Sequence, residues 1–287
     1  VQIEAVRNSS WLSAEAKAEA QAKLAALKIE IGTPLRDLDY SVQPMGRGSF
    51  GGNMLIASTW RHREEMKRIG KGNADRRWDV LPQQPALAYD LAQNRLIVTA
   101  AILQGPVFNA KADAADKFGS FGGLVGHELT RAIDAKGALV DARGELRGWW
   151  TPADKTAWTL LGSRAAAQYG AYEFPGVKGA KVNGTLTQEE NLADIAGLEL
   201  AWAAYTAQEP KAKPAQQQGF FRAWAALWPQ QLSPNEAVRR LTADIRAPGV
   251  WRTNGTLANL PAFGATFSCK AGQPMQRSEA EQIKVWR

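Results

Sequence analysis

Two residues with acid–base and metal-binding chemistry, His127 and Glu128, stand side by side in the segment GHELTR at residues 126–131. A helix that carries His-Glu and a second His four residues after the first presents both imidazoles on one face. There they bind zinc, and the glutamate polarises a water molecule. Arg131 stands at the position of that second His. Taken alone, a His-Glu pair on a helix is usually background and does not indicate a function.

A second group of carboxylates lies in the segment ENLAD, where Glu190 and Asp194 are four residues apart. This spacing places both side chains on one face of the helix that we predict from Thr187 to about Ala207. Two plainer interpretations stay open at this point. Glu190 stands three residues after Thr187 and has the spacing of a capping box, and the two acids have the spacing of a solvated helix face.

The order of the motifs along nearly the whole chain resembles the C-terminal, catalytic part of the neprilysin-like family of zinc metallopeptidases. This family is of the gluzincin type and includes neprilysin, endothelin-converting enzyme and bacterial PepO. The matching residues are Pro82-Gln83, residues 100–104, Gly126-His127-Glu128, Gly137, Trp149-Trp150-Thr151, Val182-Asn183-Gly184, Leu186-Thr187, residues 190–194, Arg252, Asn254-Gly255, Asn259, Phe263, Phe267 and Val285-Trp286.

The resemblance implies a role for each matching site residue. His127 is the first zinc ligand, Glu190 the third, and Glu128 the general base. Carboxylates that orient the ligands match Asp134 and Asp194. Contacts to substrate match Ala86, Ala100, Ala101 and Arg252, and the strand at residues 96–103 is expected to pair with an extended peptide.

Three functional positions depart from the family pattern. Arg131 replaces the second zinc His, Arg246 replaces the His that stabilises the oxyanion, and Ala86 replaces an Asn that hydrogen-bonds the substrate backbone. Arginine stays protonated and has no lone pair for a metal, so two ligands remain where catalytic zinc needs three and a water. We therefore expect no cofactor and a catalytically inactive relative that is retained for peptide or protein binding.

Arg131 also suggests how the site is stabilised without a metal. It follows Glu128 by three residues on the same helix and is expected to face Glu190. We predict that its guanidinium takes the structural place of the metal and bridges the carboxylates of Glu128, Asp134, Glu190 and Asp194. The alternative function is an active zinc endopeptidase with an altered ligand set, in which His62 is recruited as a ligand.

The element pattern predicts an α+β fold, mainly α, and the resemblance makes it a thermolysin-like catalytic domain with a small edge sheet. We expect helices over residues 14–31, 56–68, 121–135 and 187–207, a helix that begins at Pro152 with Thr151 as its cap, and strands over 96–103 and 283–286. Breaks at Gly70, Gly72 and Asn73 place a domain boundary near residue 80. Residues 1–80 then end the family's helical lobe, and residues 81–287 form the metallopeptidase-like domain.

Composition limits the other function classes. The net charge of +7 favours nucleic-acid binding. However, Glu64 and Glu65 interrupt the basic cluster between Arg61 and Arg77, and no aromatic series accompanies this cluster. A solvated helix face is the better interpretation. Cys269 is the single cysteine, which excludes an internal disulfide, and no apolar run is long enough to span a membrane. From the resemblance we expect an extracytoplasmic protein (periplasmic, secreted or surface-anchored) whose N-terminal lobe is a missing segment or a second chain.

Overall fold

Helices dominate the computed structural model, which describes residues 1–35, 39–71, 77–270 and 272–286. The helices are α1 (Gln2–Asn8), α2 (Ala14–Ala25), α3 (Phe50–Met66), α4 (Ala114–Lys117), α5 (Gly123–Thr130), α6 (Pro152–Gly170), α7 (Gly184–Gln208), α8 (Pro214–Ala225), α9 (Pro234–Ala243), α10 (Gly249–Leu257) and α11 (Pro261–Thr266). The strands are β1 (Lys28–Gly32), β2 (Leu87–Asp90) and β3 (Arg95–Thr99). The prediction of a mainly helical α+β fold is confirmed.

The three strands form one sheet in the order β1-β3-β2. β1 runs parallel to β3 with Ile29 opposite Leu96, and β2 runs antiparallel to β3 with Ala88 opposite Ile97. All five residues of β3 are buried, as expected for a central strand. One edge of β2 is therefore left without a strand partner among the described residues, and this edge faces the site described below.

Two sequence predictions about these strands were wrong. The helix predicted to reach Ile31 ends at Ala25, and residues 28–32 form β1, because pairing with β3 satisfies their backbone groups. The strand predicted to reach Leu103 ends at Thr99, after which residues 100–102 form a 3₁₀ turn. The Thr99 hydroxyl donates to the carbonyl oxygens of Gln84 and Ala86 at this point.

Helices begin at the predicted residue where the sequence shows a clear N-cap. The Ser13 side chain accepts from Ala16 N, and Thr151 forms a capping box with Asp154 at the start of α6. Helix α7 begins three residues earlier than predicted, because Asn183 is its N-cap. Glu190 is therefore not a capping-box residue, and that plainer interpretation is wrong.

Other boundaries also differ from the prediction. Helix α3 begins at Phe50 rather than Ile56, and the helix expected over residues 121–135 is a π turn followed by α5, which ends at Thr130. Residues 283–286 do not form a strand. The backbone N–H groups of Val285 and Trp286 instead donate to Glu199 Oε2 over 3.2 Å each.

A close approach of α5 and α7 positions the site. A Cβ atom at Gly126 would lie 2.4 Å from Gly197 O, and one at Gly197 would lie 2.3 Å from His127 N. Only glycine at both positions lets the two backbones meet at this distance. His127, next to Gly126 on α5, and Asp194, one turn before Gly197 on α7, are thereby brought into direct contact.

Residues on both sides of the predicted boundary near residue 80 pack together. β1 pairs with β3, and Trp11 packs against Trp150 with ring centroids 5.4 Å apart. The predicted break at Gly72 and Asn73 lies outside the described residues, so the boundary stays a prediction. In the part of the chain that is described, each helix falls short of the length or the hydropathy needed to cross a bilayer.

Candidate active-site cleft

The imidazole of His127 is held by a buried ion pair on its Nδ1 side. Asp194 Oδ1 lies 2.7 Å from His127 Nδ1, and Arg252 on α10 binds both oxygens of Asp194 at 2.7 Å each. The Arg252 guanidinium also lies 3.6 Å from the ring centroid of Trp228, a cation–π contact. Asp194, held by Arg252 and Trp228, thus fixes the orientation of the imidazole.

Charge compensation explains the pKa values on this side. Burial alone would raise the pKa of Asp194, but the Arg252 guanidinium and the hydrogen bond with His127 outweigh it and hold the pKa well below its usual range. Burial alone would lower the pKa of His127, but the hydrogen bonds to Asp194 and Glu190 raise it to about 8. The buried carboxylate of Asp194 thus stays ionised because Arg252 and His127 compensate its charge.

Arg131 fills the other side of the imidazole. It lies just past the end of α5, and its Nη2 donates to Glu190 Oε1 and lies 3.4 Å from His127 Nε2. Its Nη1 donates to Asp134 Oδ2 over 3.1 Å. The guanidinium therefore lies between His127 and Glu190 and joins Glu190 to Asp134. The sequence predicted a bridge that included Glu128, and no such contact is present among the described atoms.

Glu190 receives a second cation. Arg246, in the loop before α10, places its Nε 3.4 Å from Glu190 Oε2. Burial alone would raise the pKa of Glu190, but its contacts with His127, Arg131 and Arg246 outweigh it and lower the pKa to about 2. Two guanidinium groups thus contact the two different oxygens of one carboxylate.

Glu128 is turned toward the sheet. Its Oε2 accepts a hydrogen bond from Tyr89 N on β2 over 3.1 Å, and its Oε1 lies 4.0 Å from His127 Nε2. Burial raises the pKa of the Glu128 carboxyl, although His127 and Arg131 act in the opposite direction. The sequence did not indicate the Tyr89 contact, because a backbone donor leaves no signal in residue type.

The cleft along β2 has two compartments. A cavity of about 340 Å³ is lined by Leu87, Ala88, Tyr89, Leu91, His127, Glu128, Arg131, Asp134, Lys136, Glu190 and Arg246. A more apolar cavity of about 260 Å³ is lined by Pro85, Ala86, Leu87, Ile102, Leu124, His127, Glu128, Arg246 and Arg252. Leu87, His127, Glu128 and Arg246 line both, so these residues lie where the compartments meet.

The strand beside the cleft is β2, which corrects the expectation for residues 96–103. β3 lies between β1 and β2, so its backbone groups are already paired and it has no free edge for a peptide. Ala101 N donates to Pro82 O, and Leu103 N donates to Ala100 O, so Ala100 and Ala101 belong to a closed turn. Ala86 lines the smaller compartment of the cleft, and its contact with substrate stays a prediction. Leu87 was missed because a four-residue strand gives little periodicity.

The donor set does not fit a catalytic zinc ion. His127 Nε2 and Glu190 Oε2 lie 3.5 Å apart, but the Arg131 guanidinium is bonded to Glu190 where a third electron-pair donor is required. Within residues 1–35, 39–71, 77–270 and 272–286, no group of three or more His, Cys, Asp or Glu side chains is arranged to hold a metal. His62 is exposed on α3 and lines neither compartment.

Known proteins are similar to this chain over most of its length. The model of peptidase family M13 matches residues 88–283. Neprilysin-11 of Caenorhabditis elegans is 28% identical over 290 residues, which cover 94% of this chain and 34% of that protein. Human membrane metallo-endopeptidase-like 1 is 27% identical over 99% of this chain and 38% of its own length.

Solved structures of zinc metalloproteases are also similar to this chain. The inhibitor complex of the zinc metalloprotease Zmp1 of Mycobacterium tuberculosis superposes with a TM-score of 0.89 at 28% identity, over 99% of this chain and 45% of that chain. The chain thus spans about a third to two fifths of the length of these curated relatives. Because the family model covers most of the sequence, including both helices of the cleft, the chain belongs to peptidase family M13, the neprilysin-like family that its sequence resembles.

Proposed function

We propose that this chain is a peptide-binding member of family M13 that neither holds catalytic zinc nor hydrolyses peptide bonds. The observation that carries the proposal is the Arg131 guanidinium between His127 and Glu190. A guanidinium has no lone pair at any relevant pH and repels a cation. Without the metal, nothing in this site lowers the pKa of a water molecule or polarises a carbonyl group as a Lewis acid.

Two further contacts support the loss of catalysis. Glu128, which matches the general base of the family, accepts a hydrogen bond from Tyr89 N through its Oε2. Arg246 stands where the resemblance places the oxyanion His, and its Nε lies beside Glu190. The base and the oxyanion position are thus both involved in contacts within the protein.

The open edge of β2 supports peptide binding. Thr99 N donates to Ala86 O, and Ala88 pairs opposite Ile97, so the alternation of an antiparallel ladder turns the backbone groups of Leu87 toward the cleft. An extended peptide adds to such an edge through main-chain hydrogen bonds. The compartments on both sides of Leu87 would then receive its side chains.

The rest of the protein is a proposed partner of this chain. The curated relatives are two and a half to three times as long, and an N-terminal lobe, as a preceding segment or a second chain, would cover apolar side chains that are exposed here. Ile29 and Ile31 on β1 and Phe50 and Leu55 on α3 are 60%, 62%, 82% and 68% exposed. From the family we also infer an extracytoplasmic location.

Zinc content and peptide cleavage test the proposal together. The purified chain is incubated with zinc, passed through a desalting column and assayed by elemental analysis, while cleavage of an internally quenched peptide is followed by fluorescence. We expect far less than one zinc per chain, no cleavage, and binding of the intact peptide. One tightly held zinc per chain together with cleavage that a chelator abolishes would establish the alternative, an active endopeptidase with an altered ligand set.

A further inference from the structure

We propose that the cleft captures the free C-terminal carboxylate of a peptide through Arg246. This inference rests on the proposed peptide-binding function and names the class of peptide that the cleft accepts. It concerns a cation that the sequence resemblance assigns to no binding role, because the family has at that position a His that stabilises the oxyanion.

Arg246 presents donors that the protein does not use. Its side chain is 53% exposed, its Nε lies beside Glu190 Oε2, and its backbone N–H donates to Asp244 Oδ1 over 2.9 Å. Neither Nη atom donates a hydrogen bond to the described part of the chain. The free edge of the guanidinium therefore has two parallel N–H groups available, which is the geometry that binds both oxygens of a carboxylate.

The nearby carboxylates are already committed. Glu190 contacts Arg131 and Arg246, Asp134 accepts from Arg131 and from the backbone N–H groups of Lys136 and Gly137, and Glu128 accepts from Tyr89 N. Lys136 is exposed and lines the same compartment as Arg246, with no ion pair from its Nζ among the described residues. An incoming anion thus meets two cations. Lys136 has no ion-pair partner among the described residues, and Arg246 shares Glu190 with Arg131.

The position of Arg246 favours a terminal carboxylate over a carbonyl group inside a longer chain. Arg246 lies where the compartments meet, beside Leu87, whose backbone groups are on the open edge of β2. A peptide paired with that edge would bring its terminus to the guanidinium. Its last side chain would enter the compartment formed by Pro85, Ile102 and Leu124. A fixed positive charge binds a full negative charge more strongly than a carbonyl dipole.

Fluorescence anisotropy on the full chain tests this inference with one labelled pentapeptide that ends in leucine, prepared as the free acid and as the C-terminal amide. We expect the acid to bind at least about tenfold more tightly, the size expected of a charge-assisted hydrogen bond, and the preference to shrink as salt is raised. Arg246→Gln should bring the two affinities close together. Arg239→Gln removes the same charge from an exposed position on α9 and should keep the preference.

Each outcome has a distinct meaning. Equal binding of acid and amide by the wild-type chain overturns carboxylate capture and leaves peptide binding standing. A preference for the acid that survives in a folded Arg246→Gln variant overturns the assignment to Arg246. If neither peptide binds, the proposed function itself fails, and this inference fails with it. The melting temperature of each variant shows whether it is folded.

Discussion

The two sides of the His127 imidazole differ in how far they have kept the arrangement of a metal site. On the Nδ1 side, Asp194 and Arg252 form a buried, bidentate ion pair that orients the ring. On the Nε2 side, Arg131 lies where the resemblance places a metal ligand, and Arg246 approaches the same carboxylate, Glu190. Under the proposed function, the Nδ1 side is the retained side of a metal site, and the Nε2 side is its rebuilt side.

The difference follows from where charge is buried. Asp194 is 1% exposed, so removing its partners would leave an ionised group without solvent or counter-charge. Glu190 faces the cleft, and its charge can be balanced in more than one way. Two guanidinium groups carry the same total charge as one Zn²⁺ ion, and they contact opposite oxygens of Glu190. Under the proposed function, arginine preserves the charge balance of the cleft and removes the metal-dependent chemistry.

The substitution Arg131→His should have the largest effect, because it restores an electron-pair donor to the Nε2 side. With His127 and Glu190 it completes the three protein ligands of a catalytic-type zinc site, and we expect zinc affinity to rise by more than about 100-fold. Competition with a chromophoric chelator measures this. Peptide cleavage should stay low because Arg246 is unchanged. An equal gain in Arg239→His, which is remote from the cleft, would show that the zinc binds elsewhere.

The substitution Asp194→Ala tests the retained side. It leaves the Arg252 guanidinium buried without a partner and should lower the free energy of unfolding by about 3–5 kcal/mol. Urea denaturation followed by tryptophan fluorescence measures the loss. The exposed ion pair of Arg239 and Glu236 is the control, since Glu236→Ala should leave the transition almost unchanged. Similar losses in the two variants would contradict a special role for the buried pair.

The substitution Arg131→Met tests the rebuilt side and should cost less, about 2 kcal/mol, because the Arg131 side chain is 19% exposed and Arg246 still contacts Glu190. Methionine keeps the length of the side chain and removes its charge. The melting temperature should fall, and added zinc should not restore it. An unchanged melting temperature would show that Arg131 does not stabilise the cluster of carboxylates.

Sequence reasoning recovered what depends on local signals. The Ser13 and Thr151 caps, the long helix α7 and the order of the family motifs follow from neighbouring residue types, and the family and fold class are confirmed. β1 was missed because Lys28-Ile29-Glu30-Ile31 continues the composition of α2, while its strand conformation depends on pairing with Arg95–Thr99 far along the chain. β2 was too short to be recognised from its pattern.

The sequence indicated which residues lie together in the candidate site better than it indicated the contacts between them. His127 and Asp194 meet because Gly126 and Gly197 let their helices approach, a distance that no motif spacing specifies. Arg131 was expected to face Glu190 from a continuous helix and to bridge the carboxylates around it. The helix ends at Thr130, however, and the Arg131 side chain contacts Glu190 and Asp134 but not Glu128 in the part of the chain that is described. The cation–π contact of Arg252 with Trp228 depends on tertiary packing alone.

Lys23 on α2 holds the segment that follows Asp134, and its titration is expected to have the smallest effect on stability. Lys23 Nζ is buried and donates to the carbonyl oxygens of Gly137 and Val140 over 2.8 Å each. Burial lowers the pKa of Lys23 from 10.5 to about 8, although the negative charges of Asp134, Glu19 and Asp141 act in the opposite direction. Lys23 thus stabilises the backbone beyond Asp134 through two hydrogen bonds. It loses its proton more easily in the folded chain than in the unfolded chain.

Stability should therefore depend on pH in a defined direction. Between pH 8 and 10.5 the unfolded chain binds more protons at Lys23 than the folded chain, so the free energy of unfolding rises with pH in this window and is insensitive to Lys23 below it. Relative to Lys23→Met, the wild-type chain should gain about 1.5 kcal/mol between about pH 8 and about pH 9.5. Urea denaturation at both pH values measures the difference, and the variant subtracts all other titrating groups. Parallel curves for the two proteins would mean that Lys23 titrates as a solvated lysine and does not hold the segment that follows Asp134 as a desolvated group.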